Sequence, residues 1–172
     1  PIVLLIGFLM GVILAFQSAI AMKQFGAEIF VANLLSLSIL RELGPLMTAI
    51  LLAGRSGAAF AAEIGTMKVN QEIDALTTMG LDPVKFLVVT RVLAATAMTV
   101  PLVVFSDLIG LVGGALVMLT FEIPIATYYK QAMSFASLGD FMGGLAKAVV
   151  FGVLIAGIGC LRGLQTAAGA SA

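Results

Sequence analysis

The sequence predicts an all-α, polytopic membrane protein with four transmembrane helices, and three observations support this prediction. Hydrophobic residues make up 61% of the 172 positions and charged residues only 10%. Soluble domains contain roughly 45–50% hydrophobic residues and about 25% charged residues. The mean hydropathy is +1.17. The apolar residues also occur in long runs, and about 20 such residues suffice for a helix to cross a bilayer.

The composition argues against several classes of function. With a net charge of zero and no basic run, the chain is not expected to bind nucleic acid. Cys160 is the only cysteine and histidine is absent, so we expect neither an intramolecular disulfide nor a metal site of the usual zinc or haem type. A phosphate-binding glycine loop and a nucleophile elbow are also missing from the sequence, which argues against ATP hydrolysis or lipid hydrolysis by this chain.

The first predicted span covers residues 2–22, a run too long for a signal-peptide core of about 7–15 residues. The second covers residues 37–65 and contains Arg41 and Glu42 near its start. The stretch before it is largely apolar but is interrupted by Asn33, Ser36 and Ser38.

A polar insert follows the second span and predicts a short amphipathic helix over residues 70–80. Asn70 is the predicted N-cap, and Gly80 ends the helix before Asp82 and Pro83. This helix is too short to cross a membrane. Its apolar side chains follow helical spacing: Val69, Ile73, Leu76 and Met79.

Residues 86–119 form either one long helix or two helices broken near Pro101 or Asp107. The two halves are each short for a span, so we predict one helix, kinked at Pro101 and long enough to tilt. Residues 121–140 are more polar, contain both tyrosines and are predicted to be an interfacial connection. Residues 141–161 form the fourth predicted span, and a small, polar tail follows it.

The basic residues at the span ends predict the orientation of the chain. The side that carries the polar insert has four of them, and the other side has two, so the positive-inside rule places the insert in the cytoplasm. The two sets are Lys68, Lys85, Arg91 and Arg162 on the side of the insert, and Lys23 and Lys130 on the other.

Small residues recur at steps of three and four in the second and third spans. Such faces allow close helix packing, either within the chain or across a subunit seam, and their spacing does not separate these alternatives. The residues include Ala53, Gly54, Gly57, Ala61, Gly65, Gly110, Gly113 and Gly114.

Ionisable residues inside spans cost about 2.5–3.5 kcal/mol each to insert, so they normally face protein, water or a ligand. Arg41, Glu42 and Lys147 either snorkel at the outer interface or form a polar site that binds a charged head group. Asp107 is predicted to cap or kink a helix. Arg55 and Glu63 are eight residues apart and share a helix face near the cytoplasmic surface.

Several segments resemble the MlaE/YrbE family of ABC-transporter permeases, and the resemblance covers nearly the whole chain. They are RELGP (41–45), AGRSGAAFAAEIGTMKV (53–69), EIDAL (72–76), MGLDP (79–83), RVLA (91–94) and KxxxFG (147–152). The resemblance implies a homodimer in the bacterial inner membrane. It also implies three partners: a cytoplasmic ATPase that binds ATP and Mg, an MCE-domain protein that carries lipid between membranes, and often a small STAS-domain protein.

The resemblance also implies roles for individual residues. Arg41, Glu42 and Lys147 match polar positions of the family's lipid cavity at the dimer interface. The insert matches the coupling helix that contacts the ATPase, with its candidate residues Glu72, Ile73, Asp74, Leu76, Met79, Asp82 and Pro83. Family members also have an N-terminal interfacial helix and a fifth span, so we expect this chain to be a portion of a longer one.

The function predicted from these features is that of a non-catalytic permease subunit that moves phospholipid between the inner membrane and a periplasmic MCE carrier. One alternative is a proton-coupled secondary transporter or channel in which Asp107, Glu63 and Lys147 relay protons. Another is a passive membrane anchor for an MCE-like protein. The residues 79–83 likewise have two interpretations, a simple helix stop or part of a rigid docking surface.

Overall fold

The computed structural model describes residues 1–166, and every regular element in that range is a helix. Four of the helices are long and apolar enough to cross a membrane, which confirms the predicted fold class and number of spans. The tail predicted after the fourth span lies, from residue 167 onward, outside the described residues. The helices are α1 (Ile2–Lys23), α2 (Glu28–Val69), α3 (Glu72–Thr78), α4 (Val84–Thr120), α5 (Ile125–Phe135) and α6 (Leu138–Leu164).

Helix α2 is longer than the predicted span at residues 37–65. It has 42 residues, or about 63 Å at 1.5 Å per residue, which exceeds the thickness of a bilayer core. The polar residues that suggested a break are accommodated inside the fold: Asn33 and Ser36 are buried, and the Ser36 hydroxyl donates a hydrogen bond to the Asn33 carbonyl at 3.0 Å. Two wide, π-helical turns interrupt its α-helical geometry, at Ile39–Leu43 and Ala53–Gly57.

Helix α4 confirms the prediction of one helix rather than two. It begins with a π-helical segment, Val84–Val89, and continues without a break through Pro101. Asp107 lies in its interior and is only 2% exposed. The prediction that Asp107 caps a helix is therefore wrong, because the helix ends are more than ten residues away in either direction.

Helix α3 is shorter than the predicted helix at residues 70–80, and its start is different. The residue before it is Gln71, in a left-handed conformation with φ of 60°, so the prediction of Asn70 as N-cap is wrong. Its end is as predicted, since Gly80 has φ of 79°. The amides of Gly80 and Leu81 donate to the carbonyls of Thr77 and Leu76, at 3.0 Å each, which closes the helix with a Schellman turn.

The fold divides into two units, and the first comprises Pro1–Thr48 and Val100–Ala148. In this unit α1 and α4 approach closely, because a Cβ atom on Gly11 would overlap the Gly110 carbonyl oxygen and one on Gly113 would lie 2.5 Å from the Phe8 carbonyl oxygen. Gly110 and Gly113 therefore serve packing within the chain. The core of the unit consists of Ala15, Ala19, Val31, Ala32, Leu35, Ile39, Ala115, Val117, Met118 and Tyr128.

Tyr128, in the connection predicted to be interfacial, is part of the protein core. Its side chain is 1% exposed, and its hydroxyl donates a hydrogen bond to the Leu111 carbonyl at 3.2 Å. Burial, with a smaller effect from Tyr129, raises the pKa of Tyr128 above its ordinary value, so the hydroxyl stays a neutral donor. The connection between α4 and α6 thus contains a helix, α5, and the buried Tyr128 side chain packs this helix against the core.

The second unit comprises Ala49–Thr99 and, among the described residues, positions 149–166. Here α2 and α6 cross closely, since a Cβ atom on Gly159 would lie 2.6 Å from the Gly57 carbonyl oxygen. Gly54, by contrast, has no atom within 4 Å of its Cβ position. A small core of Ile64, Ile73, Leu87 and Cys160 fixes α3 in place.

Candidate functional site

The three residues predicted as a polar site, Arg41, Glu42 and Lys147, meet in the first unit. The Lys147 ammonium lies 2.5 Å from Glu42 Oε1 and donates a hydrogen bond to the Arg41 carbonyl at 3.1 Å. Arg41 Nε is 3.9 Å from the same Glu42 oxygen. All three side chains are substantially exposed in the chain, from 40% to 60%, so the cluster is open to a ligand.

Two local features bring α2 and α6 together at this cluster. The π-helical turn Ile39–Leu43 carries Arg41 and Glu42, and wide turns of this kind are frequent at functional sites. On α6, a Cβ atom at Gly144 would overlap the Leu40 carbonyl oxygen, so the absence of a side chain there permits the close approach. Lys147 is one turn further along the same face of α6.

The structure adds a fourth member, Asp140, which the sequence had suggested only as part of the connection. Its Oδ1 lies 3.9 Å from Arg41 Nη1. Its Oδ2 accepts a hydrogen bond from the Ser137 hydroxyl at 2.8 Å, and the Asp140 amide donates back to that hydroxyl at 3.2 Å. Asp140 is seven residues before Lys147, two helical turns away on one face, and this spacing is the signal that could have identified it.

The predicted coupling residues form a surface on and after α3, in the second unit. Glu72, Asp74 and Met79 are exposed, and Leu76 is half-buried. Ile73 is the exception, because it is only 8% exposed and packs into the core of the unit. Its side chain anchors α3 and is not available to a partner in this arrangement.

Asp82 and Pro83, the last two predicted coupling residues, lie immediately before α4. Asp82 Oδ1 accepts hydrogen bonds from the amides of Val84 at 3.0 Å and Lys85 at 3.4 Å. This side chain satisfies two of the amide groups that a helix N-terminus leaves without partners. The stretch is therefore a turn in which Asp82 caps the start of α4.

Glu63 forms an ion pair with Arg91, and Arg55 takes no part in it. Arg91 Nη1 is 2.9 Å from Glu63 Oε2, in a geometry that makes an ion pair but not a hydrogen bond. The guanidinium also lies 5.8 Å from the centre of the Phe60 ring. Arg55 is exposed and has no ion pair with any residue between 1 and 166.

The ion pair borders an open groove of about 480 Å³ beside α3. Two of its lining residues are acidic and one is basic. Its lining residues are Ala62, Glu63, Thr66, Met67, Glu72 and Arg91. Among residues 1–166, no three His, Cys, Asp or Glu side chains are grouped to hold a metal ion.

Comparison with known proteins identifies the family. The model of the family described as Permease MlaE matches residues 1–172, the whole chain. The chain belongs to the MlaE permease family. This confirms the resemblance that the RELGP, EIDAL and MGLDP segments had indicated, and it makes the protein a membrane protein of a permease family.

Relatives of this MlaE family member occur in several bacteria. It is 41% identical over 171 residues to a probable ABC transporter permease protein of Rickettsia typhi, covering 99% of the chain and 66% of the relative. It is 41% identical over 161 residues to a probable ABC transporter permease protein of Synechocystis, covering 93% and 61%. It is 34% identical over 164 residues to the intermembrane phospholipid transport system permease protein MlaE of Haemophilus influenzae, covering 94% and 63%. The chain thus spans somewhat less than two thirds of the length of these relatives.

Proposed function

We propose that this chain is the membrane-spanning part of an ABC-transporter permease that moves phospholipid between the inner membrane and a periplasmic MCE-domain carrier. Family membership supports the permease role, and the names of the Rickettsia and Haemophilus relatives support the transporter class and the lipid. The observation that carries the proposal is the exposed charged cluster on two helices long enough to span a membrane. Charged groups in such helices are costly unless they serve a ligand, a partner or water.

The cluster has the chemistry to bind a phospholipid head group. Guanidinium and ammonium groups donate charge-assisted hydrogen bonds to phosphate oxygens. Exposed apolar side chains on both helices, such as Leu46 on α2 and Met142 on α6, provide surface for acyl chains. In the proposed arrangement, Arg41, Glu42 and Lys147 form the lipid site, with the Arg41 guanidinium facing the phosphate, and Asp140 lies beside Arg41.

The energy for transport is proposed to come from a separate cytoplasmic ATPase that binds ATP and Mg, with this chain non-catalytic. The proposed contact surface comprises the exposed residues on and after α3, with Ile73 as its anchor. Two residues connect α2 to α3, and five connect α3 to α4, so movement of α3 acts on the ends of both long helices. The remaining proposed partners are a second copy of the chain, the MCE protein and a STAS-domain protein.

Lipid bound to the full-length complex provides the first test. Mass spectrometry of co-purifying lipid is compared between the native complex and the variant Arg41→Ala plus Lys147→Ala. We expect phospholipid to be lost from an assembled variant complex. The matched control, Lys23→Ala plus Lys130→Ala, removes the same charge outside the cluster and is expected to retain lipid. Unchanged lipid in the first variant contradicts the site.

The coupling surface has its own test. Replacing Glu72 and Asp74 by Lys reverses two exposed charges on α3 without touching its buried side. We expect ATP hydrolysis to continue in the assembled complex while lipid transfer per ATP falls. Lipid transfer at the native rate would contradict the assignment of α3 as the coupling helix.

The proton-relay alternative has less support from the geometry. Of its three proposed groups, Lys147 is paired with Glu42 and Glu63 with Arg91. These ion pairs engage both groups with residues outside the proposed relay. Lipid or ion flux driven by a pH gradient in full-length protein without any ATPase would favour this alternative.

A further inference from the structure

The RELGP segment places a proline at a position that leaves one backbone carbonyl without its usual partner. In an α-helix the carbonyl of Arg41 accepts a hydrogen bond from the amide of residue 45. That residue is Pro45, which has no N–H and whose ring clashes with the carbonyl four residues earlier. The helix widens into a π turn over Ile39–Leu43, immediately before the proline, which relieves the clash.

The side chain that reaches this carbonyl comes from another helix. Lys147 Nζ donates to the Arg41 oxygen at 3.1 Å and lies 2.5 Å from Glu42 Oε1. Two of the three donors of the ammonium are thus used within the protein. The close packing of α6 at Gly144 against the Leu40 carbonyl holds it there.

Arg41 is in the opposite situation. Its side chain is 59% exposed, and its guanidinium lies 3.9 Å from each of its two carboxylate neighbours, Glu42 and Asp140. At that distance neither contact is a hydrogen bond. Its donors are therefore free for the bidentate binding of phosphate to which guanidinium is suited.

We propose that Lys147 is a positioning residue, whose ammonium replaces the missing amide N–H of Pro45 and so fixes Arg41 as the group that binds the lipid phosphate. This inference rests on the proposed lipid site. It assigns different roles to the two basic residues. Lys147 acts through hydrogen bonds to the protein, so its donors matter, whereas Arg41 acts on the ligand, so its charge matters.

The roles are separated by comparing Lys147→Gln with Lys147→Met in the full-length complex. The glutamine amide carries two N–H donors, enough for the two acceptors, but no charge. The probe is the amount of phospholipid retained from vesicles of phosphatidylethanolamine and phosphatidylglycerol. We expect Lys147→Met to weaken retention about tenfold, the size of a lost charge-assisted hydrogen bond, and Lys147→Gln to stay within about threefold of native.

Two results would overturn the proposal. Equal losses in the Gln and Met variants would show that the charge of Lys147 itself binds the ligand. Native retention in both variants would show that Lys147 positions nothing. A separate variant, Arg41→Gln, tests the proposed lipid site on which this inference rests. Retention of lipid by Arg41→Gln would contradict that site, independently of the results for the Lys147 variants. Lys130→Gln is the matched control and is expected to behave as native.

A double-mutant cycle gives a readout that does not depend on lipid. Pro45→Ala restores an N–H at residue 45, so the Arg41 carbonyl no longer requires the ammonium. Lys147→Met is expected to lower the melting temperature of the complex when residue 45 is proline and to lower it clearly less when residue 45 is alanine. Equal decreases in the two backgrounds would contradict a link between Lys147 and Pro45.

Discussion

Helix α3 depends on one buried side chain, so Ile73→Ala is expected to release it from the second unit. A helix of seven residues is not stable in water by itself, and its position follows from packing. Ile73 is 8% exposed and contacts the core of Ile64, Leu87 and Cys160. The substitution removes three buried carbon atoms, worth about 0.8 kcal/mol each, or about 2.4 kcal/mol together.

The measurement is hydrogen exchange at the α3 amides in the full-length complex. Exchange of these amides reports the free energy of local opening. Because 1.4 kcal/mol corresponds to a factor of ten, a loss of about 2–3 kcal/mol should accelerate exchange roughly thirtyfold to 150-fold. If α3 couples ATP hydrolysis to transport, lipid transfer per ATP should also fall.

Met79→Ala is the matched control, because Met79 also belongs to the proposed coupling surface but is 67% exposed. Its removal should change local stability by less than about 0.5 kcal/mol, and so leave exchange within about twofold of native. If Ile73→Ala and Met79→Ala give the same exchange rates in α3, the reasoning that Ile73 anchors the helix is refuted.

Two further predictions concern the first unit and its packing. Tyr128→Phe removes the hydroxyl donated to a carbonyl of α4, and chemical denaturation should show a loss of about 0.5–1.5 kcal/mol, while Tyr129→Phe, at an exposed position, should show none. Gly11→Ala should lower the melting temperature, because the new Cβ atom would overlap the Gly110 carbonyl oxygen and overpacking typically costs about 1–3 kcal/mol. Gly54→Ala is the control, because the new Cβ atom would meet open space within a single chain. A comparable decrease in the melting temperature of Gly54→Ala would instead indicate that Gly54 lies at a subunit seam.

The sequence indicated most residues of the candidate site but not how their side chains are arranged. Charges are rare in spans, so Arg41, Glu42 and Lys147 stood out from their surroundings. Asp140 did not, because the polar connection before it gave a simpler explanation for a carboxylate. Glu63 stood out as well, but its partner Arg91 lies 28 positions away on a helix whose rotation no pattern in the sequence specifies.

The sequence by itself determined the number of spans, the presence of the short amphipathic helix and the family, because long apolar runs, helical periodicity and motif spacing are local properties of a chain. The tertiary structure alone decided which side chains meet. It paired Lys147 with the Arg41 carbonyl, buried Ile73 and Tyr128, and brought α2 and α6 into close contact at Gly144. Each of these depends on how helices distant in sequence cross, and close packing fixes that crossing to within a fraction of an ångström.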